Sequence, residues 1–295
     1  MELFLRYREN HPTMKPLIYT LVLCCSLHAA AQSKVDTLSI EEAMNKKIVL
    51  NKITGKGGYQ EECVQFNLEN KSDKTVWIKI EAGRRLDSVD STMQDILIVQ
   101  SKKFKLNPFE KLATSVRGFC CQASLHAPAA ASKFKIGSLA STPLVQLSKY
   151  INKHTLPTAA IQNAIWVISD GHDISSIDNS ENDPAVTELQ RQVSTILGIP
   201  IPWYTTYYKP GEHQVSSNQR QKITATVDYH TNENGHVIIQ IISERGEIIE
   251  EQSHFSQKGT YHYNLVWEVE NMPKGKYYLK IFDESRTIKN LEIVL

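Results

Sequence analysis

Hydrophobic and polar residues alternate with a period of two over much of the first half of the chain. Residues 63–68 and 76–80 show the pattern most clearly, with every second side chain apolar, as expected for half-buried β-strands. Turn-forming clusters separate such segments between residues 47 and 137, at 55–58, 70–73 and 107–108. This cadence predicts an antiparallel β-sandwich.

Helical periodicity replaces the alternation from residue 142 onwards. A plausible helix start, with Pro in the first turn or at the cap, occurs three times, at Thr142-Pro143, Pro157-Thr158 and Asp183-Pro184. The third helix is expected to end at Gly198, and the second near Asp170-Gly171. Between these two helices, residues 172–183 are polar and rich in turn formers, so they are predicted to form a surface loop. A further short helix is expected at Ser39, which stands three residues before Glu42 in capping-box spacing.

The last part of the chain returns to strand patterns. Strands are predicted at 222–230, 237–243, 248–255, 260–269, 276–283 and 287–295. Pro200 and Pro202 begin a linker. Its aromatic residues are expected to pack between the domains, with an exposed platform for stacking carbohydrate as the alternative; they are Trp203, Tyr204, Tyr207 and Tyr208.

The predicted fold is mainly β, with an N-terminal antiparallel β-sandwich that carries appended helices at about 142–198, followed by a C-terminal Ig-like β-sandwich. The expected organisation is a signal peptide at 1–31, a β-sandwich plus helical domain at 32–198, a linker at 199–220 and a C-terminal domain at 221–295. The hydrophobic content of 41% and the charged content of 22% suit two modest globular domains.

The N-terminus has the three parts of an export signal. From Met14, the expected true start, these are Lys15, an apolar run at 16–25 and the alanines at 29–31 before Gln32. Cleavage is expected after the alanines. An uncleaved membrane anchor would need a longer apolar span, and lipidation at Cys24 or Cys25 is the other alternative. The protein is therefore predicted to be exported, to the extracellular space, the cell surface or a periplasm, with no transmembrane span after cleavage.

Charge excludes one class of partner at the level of the whole chain. Lys and Arg number 33 and Asp and Glu 32, which leaves a net charge of +1. No nucleic-acid partner is predicted, because such proteins carry a basic excess.

The C-terminal region resembles the Ig-like modules of secreted bacterial proteins, including those that the type IX secretion pathway reads as sorting domains. The resemblance rests on residues 237–246, on Gly259-Thr260-Tyr261 and on 272–281, with a final strand that ends at Leu295. It implies a β-sandwich fold and, for sorting-type members, a role in secretion.

Cleavage of the signal would leave three cysteines, Cys63, Cys120 and Cys121. An odd number in an exported protein suggests one disulfide and one thiol that is free or chemically committed. The simplest account pairs Cys63 with Cys120 or with Cys121 and leaves the other thiol buried.

Phe119-Cys120, followed by Gln162 at the start of an apolar helix, resembles the thioester domains of bacterial surface adhesins. In that family the Cys thiol and the Gln side chain condense with loss of ammonia, and the product acylates an amine of the partner. The resemblance implies a thioester between Cys120 and Gln162, and leaves Cys121 to pair with Cys63 because neighbouring strand residues face opposite sides.

Catalytic and metal-binding motifs are missing from the sequence. There is no Gly-x-Ser-x-Gly, His-Glu-x-x-His or Cys-x-x-Cys pattern, and no phosphate-binding Gly-rich loop. We therefore expect a secreted or cell-surface binding or structural protein, without enzymatic activity, cofactor or metal, whose ligand is a protein or a carbohydrate. The alternatives are a covalent adhesin with the Cys120–Gln162 thioester and a hydrolase with a non-standard site.

Overall fold

The computed structural model describes residues 37–211, 215–284 and 286–295, all within one compact unit, Val35–Leu295. The predicted signal peptide at 1–31 and its cleavage site lie outside the described residues. Export therefore stays a prediction.

Short strands and one helix build the N-terminal part. They are β1 (Thr37–Ser39), α1 (Ile40–Asn45), β2 (Val49–Lys56), β3 (Val64–Asn70), β4 (Val76–Ile80), β5 (Arg84–Ser88), β6 (Ile96–Ile98), β7 (Lys102–Leu106), β8 (Lys111–Val116), β9 (Gly118–Cys120) and β10 (Ala130–Leu139). The strands form a three-stranded sheet in the order β1-β4-β7 and a seven-stranded sheet in the order β8-β3-β2-β10-β5-β6-β9. Side chains from both sheets, among them Phe66 and Ile78, share one apolar core. The mainly β fold is as predicted.

Strand β1 is the exception to the antiparallel pattern, because it pairs with β4 in parallel. It spans only Thr37–Ser39, which is too short for an alternating pattern to reveal. The helix that follows it is confirmed. Ser39 Oγ accepts a hydrogen bond from Glu42 N at 3.1 Å, and Glu42 Oε2 accepts one from Ser39 N at 2.8 Å, which is the capping box predicted from the spacing.

Three longer helices form a layer on the outer face of the seven-stranded sheet. They are α2 (Thr142–Ile151), α3 (Thr158–Ser169) and α4 (Pro184–Leu197), and they begin where the sequence predicted. Leu97 of β6 and Phe119 of β9 belong to the same apolar cluster as the helices, so this end of the sheet is covered. Gly83, just before β5, allows α2 to pack closely against the chain. Its φ is +92°, and a Cβ at this position would lie 3.0 Å from the Val145 side chain.

The segment between α3 and α4 is a surface loop only in its second half, where residues 180–182 are exposed as predicted. Its first half contains a short 3-10 helix, Ile174–Ser176, and His172, Ile174 and Ile177 are buried. For these residues the prediction was wrong, because polar side chains of this half bond to distant parts of the chain, as described below.

In the described C-terminal residues, the regular secondary structure after α4 is all strand. The strands are β11 (Thr205–Tyr208), β12 (Arg220–Thr231), β13 (Gly235–Ser243), β14 (Ile248–Ser256), β15 (Gly259–Glu268), β16 (Lys276–Asp283) and β17 (Thr287–Val294). One sheet has the order β11-β12-β15 and the other β14-β13-β16-β17. Side chains of both sheets, with Trp267 the largest, form a core between them. The six strands predicted from residue 222 onwards are confirmed, with ends that differ by at most two residues.

Strand β11 falls inside the segment predicted as a linker, 199–220. Its residues pair antiparallel with β12, from Thr205 opposite Thr224 to Tyr208 opposite Arg220. The chain therefore enters the C-terminal sheet soon after the end of α4. Within the described part of the chain, no helix has the length and apolar character needed to cross a membrane.

Candidate functional site

The structure brings Cys120 and Gln162 into contact, but through the main chain of the cysteine. Gln162 Nε2 donates a hydrogen bond to the carbonyl oxygen of Cys120 at 2.8 Å. Gln162 lies in the first half of α3 and its side chain is buried. The amide therefore holds the helix against the end of β9.

The three thiols lie on two different faces of the sheet. Cys120 and Cys63 belong to the core of the N-terminal sandwich, whereas Phe119 and Cys121 belong to the cluster beneath the helices. The alternation predicted for Cys120 and Cys121 is thus present, and it directs the Cys120 side chain away from the helical layer that carries Gln162.

All three cysteines are free thiols in the structure. Because Cys63 and Cys121 face different cores, the packing does not favour the predicted Cys63–Cys121 disulfide. Cys63 and Cys120 share a core, and the main chain joins their segments through a hydrogen bond from Cys120 N to the carbonyl oxygen of Tyr59 at 2.9 Å. Of the two pairings left open by the sequence, the packing favours Cys63 with Cys120.

Burial makes these thiols poor nucleophiles. It raises the pKa of Cys63 to about 12 and raises the pKa values of Cys120 and Cys121 well above the ordinary range. Since the thiolate is the reactive form, none of them is activated for attack at neutral pH.

A donor and an acceptor without partners lie one helical turn apart on α3. Gln162 Oε1 and Trp166 Nε1 are both buried, and neither has a hydrogen bond. Unpaired buried polar atoms cost free energy, so α3 carries two polar groups for which its surroundings provide no partner.

A group of hydrogen-bonded polar side chains lies where the segment after α3 meets the C-terminal sheet. Asp173 forms a two-point ion pair with Arg220, Nε to Oδ2 at 2.5 Å and Nη2 to Oδ1 at 2.8 Å. Tyr208 OH donates to Asp173 Oδ2 at 3.0 Å and accepts from Asp173 N at 2.8 Å. We call the group Asp173, Tyr208, Arg220 and His172 the junction cluster.

His172 completes the junction cluster from the other side. Its Nε2 lies 2.9 Å from Asn218 Oδ1, and its ring is buried. Desolvation lowers the pKa of His172, although Asn218, Asp170 and Asp173 act in the opposite direction. Desolvation also raises the pKa of Asp170, against hydrogen bonds from Ser169 and Ala123. The cluster is thus a partly buried joint between the two sandwiches, in which His172 is buried and the Asp173–Arg220 pair is half-buried.

Further contacts across the same joint use hydroxyl groups. Ser175 Oγ and Thr206 Oγ1 are 2.7 Å apart and buried, and Tyr207 OH donates to Asp178 Oδ2 at 2.9 Å. The expectation that Tyr207 and Tyr208 pack between the domains is confirmed. Sequence reasoning missed the partners of these tyrosines, for which the only signal was the density of aromatic residues.

A cleft of about 520 Å³ opens beside this joint. One wall is the turn before α4 together with Gln190 of that helix, and the other is the outer surface of β12 and β15; Trp203, Tyr204 and Thr205 lie between them. Its polar side chains are amides and hydroxyls, namely Asn179, Asn182, Gln190, Asn264, Ser180, Thr205, Thr224 and Thr226. Among the residues that the structure describes, the lining contains no Asp, Glu, Lys, Arg or His.

Two side chains of the cleft are held in place by hydrogen bonds to the protein. Asn179 Nδ2 donates to Thr187 Oγ1 at 2.8 Å, which leaves Asn179 Oδ1 buried and without a partner. Trp203 is fixed by a hydrogen bond from Nε1 to the carbonyl oxygen of Glu292 at 2.6 Å and by edge-to-face contact with Tyr204. A rigid aromatic surface therefore stands among groups that both donate and accept hydrogen bonds.

In the described ranges, no three His, Cys, Asp or Glu side chains are arranged to hold a metal ion. The acidic residues nearest the joint, Asp173 and Asp178, bond to Arg220 and to tyrosine hydroxyls instead.

Comparison with known proteins leaves the site to be interpreted from its own geometry, since neither a protein-family model nor a curated protein sequence matches the chain.

Proposed function

We propose that this chain is an exported binding protein that takes a neutral carbohydrate in the cleft between α4 and the β11-β12-β15 sheet. The observation that carries the proposal is the composition of the cleft, where the described lining residues supply amides, hydroxyls and aromatic rings but no charged side chain. Export rests on the signal pattern in the sequence.

The lining selects for an uncharged ligand with many hydroxyl groups. Burying a charge in a site without a partner is costly, so an ionised ligand would be poorly bound. Amide groups supply both donors and acceptors, and hydroxyls do the same with a freely rotating hydrogen. A sugar presents the same kinds of group along its edges.

Trp203 offers a contact surface for the apolar C–H faces of a sugar ring. An indole ring offers a large apolar surface at a small entropic cost because it has only two side-chain torsions. Its hydrogen bond to Glu292 holds the ring in place before a ligand arrives. The sequence suggested four linker aromatics as an alternative platform for stacking carbohydrate, and the present proposal assigns that role to Trp203 alone.

Binding without turnover is proposed because the cleft lacks carboxylates. Glycoside hydrolysis generally uses a pair of Asp or Glu residues on either side of the scissile bond, and neither residue type occurs in the described part of the cleft lining.

Substitution of Asn264 tests the proposal. Asn264 is exposed on β15 and lines the cleft, and Asn290 is exposed on β17 outside it, so Asn290→Ala is a matched control. We expect titration of the full chain with soluble neutral hexasaccharides of glucose, mannose and xylose, followed by calorimetry, to reveal binding. Asn264→Ala should weaken the affinity about tenfold, which corresponds to about 1.4 kcal/mol of binding free energy. Asn290→Ala should leave the affinity unchanged. Equal affinity in both variants would place the site elsewhere.

A covalent adhesin is the second candidate function, and the contact between Gln162 Nε2 and the Cys120 carbonyl oxygen favours it. Against it stands the Cys120 side chain, which packs in the core of the sandwich and not toward the helices. A thioester would lower the intact mass by about 17 Da through loss of ammonia, and methylamine would reopen it. A full mass together with a titratable Cys120 thiol in the unfolded protein would exclude this function.

A further inference from the structure

The three-stranded sheet β1-β4-β7 presents a basic face to solvent. In the register of β4 and β7, Lys79 lies directly opposite Lys103, and Trp77 lies opposite Lys105. The alternate residues Ile78 and Phe104 are buried in the core. Because side chains alternate across a strand, Trp77, Lys79, Lys103 and Lys105 share the outer surface. We call these four residues the lysine face.

The charges on the lysine face are not compensated from within the described chain. Like charges directly opposite each other destabilise an antiparallel pair, yet Lys79 and Lys103 occupy such positions. Among residues 37–211, 215–284 and 286–295, no hydrogen bond or ion pair engages the ammonium group of Lys79, Lys103 or Lys105.

Neighbouring lysines behave differently. Lys102 Nζ donates to Thr114 Oγ1 at 3.1 Å and to the Ser115 carbonyl oxygen at 2.9 Å. On the β2-β3-β8 surface, Lys71 and Lys111 both approach Glu69, at 2.9 and 3.9 Å. Other exposed lysines, among them Lys258 and Lys274, also form no ion pair with a described residue. The lysine face differs from them because Lys79 and Lys103 stand directly opposite each other, with Lys105 on the same surface.

Protection of a sheet edge does not explain the arrangement. Lysines on an edge strand discourage pairing with other chains, which would account for Lys103 and Lys105 on β7. Lys79, however, is on β4, the central strand of the sheet, where no edge needs protection.

We propose that the lysine face binds an anionic polysaccharide. Positive charge without a local acid is complementary to a chain of carboxylate or sulfate groups, and the half-exposed ring of Trp77 offers an apolar surface to a sugar ring. Lysines are mobile point charges that do not fix one small anion, so a polymer that engages several of them together gains most. Trp77 is half-buried on β4, the central strand of the sheet, so only part of its ring is open to a partner, which suits a sugar ring better than a bilayer. The net charge of the whole chain, +1, gives no sign of this local cluster of positive charge. The proposal is independent of the cleft.

The test compares two variants of the full chain with the same loss of charge. K79Q/K103Q/K105Q removes the lysine face, and K135Q/K258Q/K274Q removes three exposed lysines from other surfaces. The probes are polygalacturonate, which carries carboxylates, dextran sulfate, neutral dextran, and vesicles of phosphatidylglycerol and phosphatidylcholine. Thermal unfolding of both variants serves as the check that surface substitution leaves the fold intact.

We expect salt-dependent binding to polygalacturonate or to dextran sulfate, and none to neutral dextran. The lysine-face variant should bind about tenfold or more weakly and show a shallower dependence on salt concentration, while the control variant keeps its affinity. Preference between the two polymers identifies the anionic group. Equal losses in both variants, absence of binding to either polymer, or binding to vesicles alone would overturn the proposal.

Discussion

The ring of His172 lies flat against the ring of Tyr208, with centroids 3.9 Å apart and planes inclined by 9°. One ring comes from the segment after α3 and the other from β11, so this stack is a direct contact between the helical layer and the C-terminal sheet. Trp166 of α3 contacts the same histidine at 6.0 Å between ring centroids.

The buried position of His172 predicts a loss of stability in mild acid. Its folded pKa is lowered from 6.5, so below this value the unfolded chain binds the proton more readily. Stability is therefore complete above about pH 6.5 and falls as the pH approaches the lowered pKa. Asp170, whose pKa is raised by burial, acts in the opposite sense, because its folded form takes up a proton more readily than the unfolded chain does.

Urea unfolding between about pH 7.5 and about pH 5 measures this effect. His172→Phe keeps an aromatic ring against Tyr208 but cannot be protonated, so its stability should vary less over this range. His236→Phe, at an exposed histidine, is the control and should retain the full dependence. An unchanged slope in His172→Phe would show that another group is responsible.

The ion pair between Asp173 and Arg220 predicts strong coupling across the joint. Each side chain is less than one quarter exposed, at 24% and 22%, so removing either partner leaves the other poorly solvated. We expect Asp173→Asn and Arg220→Met each to lower the free energy of unfolding by about 2 kcal/mol. The double variant should lose clearly less than the sum, because the second change removes an already unpaired group.

A surface pair provides the reference for this cycle. Arg191 and Glu188 are 62% and 52% exposed and lie 2.7 Å apart on α4. Their double-mutant cycle should give a coupling below about 0.5 kcal/mol. Equal coupling in the two pairs would mean that Asp173 and Arg220 do not join the two sandwiches.

The sharing of one core by Cys63 and Cys120 predicts which disulfide forms on oxidation. Protein refolded with a glutathione redox buffer should lose about 2 Da as two thiol hydrogens pass to oxidised glutathione. Cys121→Ser should show the same loss, whereas Cys120→Ser should not. The reverse result would restore the pairing of Cys63 with Cys121.

The capping box at α1 predicts a small, local cost. Ser39→Ala removes the acceptor for Glu42 N and should lower stability by about 1 kcal/mol. Ser39→Asp, which keeps an acceptor at the same position, should recover most of it. Thermal unfolding of the three proteins, monitored by calorimetry, distinguishes them.

Most of the secondary structure could be predicted because its signals are local. The starts of α2, α3 and α4 follow from Pro and capping residues beside them, and the strands from β12 to β17 follow from alternation within each strand. Thr205–Tyr208 was hidden because four residues between prolines and aromatics carry no readable period. The buried segment from His172 to Ile177 was misread for a different reason. Its polarity is satisfied by Thr206 and Arg220, which are more than 30 residues away in the chain.

The candidate site could not be predicted for the same physical reason. The cleft is lined from Asn179, Gln190, Trp203, Thr224 and Asn264, and no short window of sequence holds these residues together. The cysteines and Gln162 were found because they are rare or stand in a recognisable pattern. Their contact through the Cys120 carbonyl oxygen, however, depends on which face of β9 meets α3, and that is a property of the packed layers.

The buried hydrogen bond between Ser175 and Thr206 has a consequence for dividing this protein into parts. A boundary placed between α4 and β11 would leave the two hydroxyls in different fragments, and each would then be exposed to water without its partner. Each fragment would therefore expose to solvent a surface that is buried in the intact protein. Recombinant fragments should therefore keep the first 211 residues together with the C-terminal sheet. Fusion of the C-terminal strands to an unrelated protein would require β11 and its contacts to be redesigned.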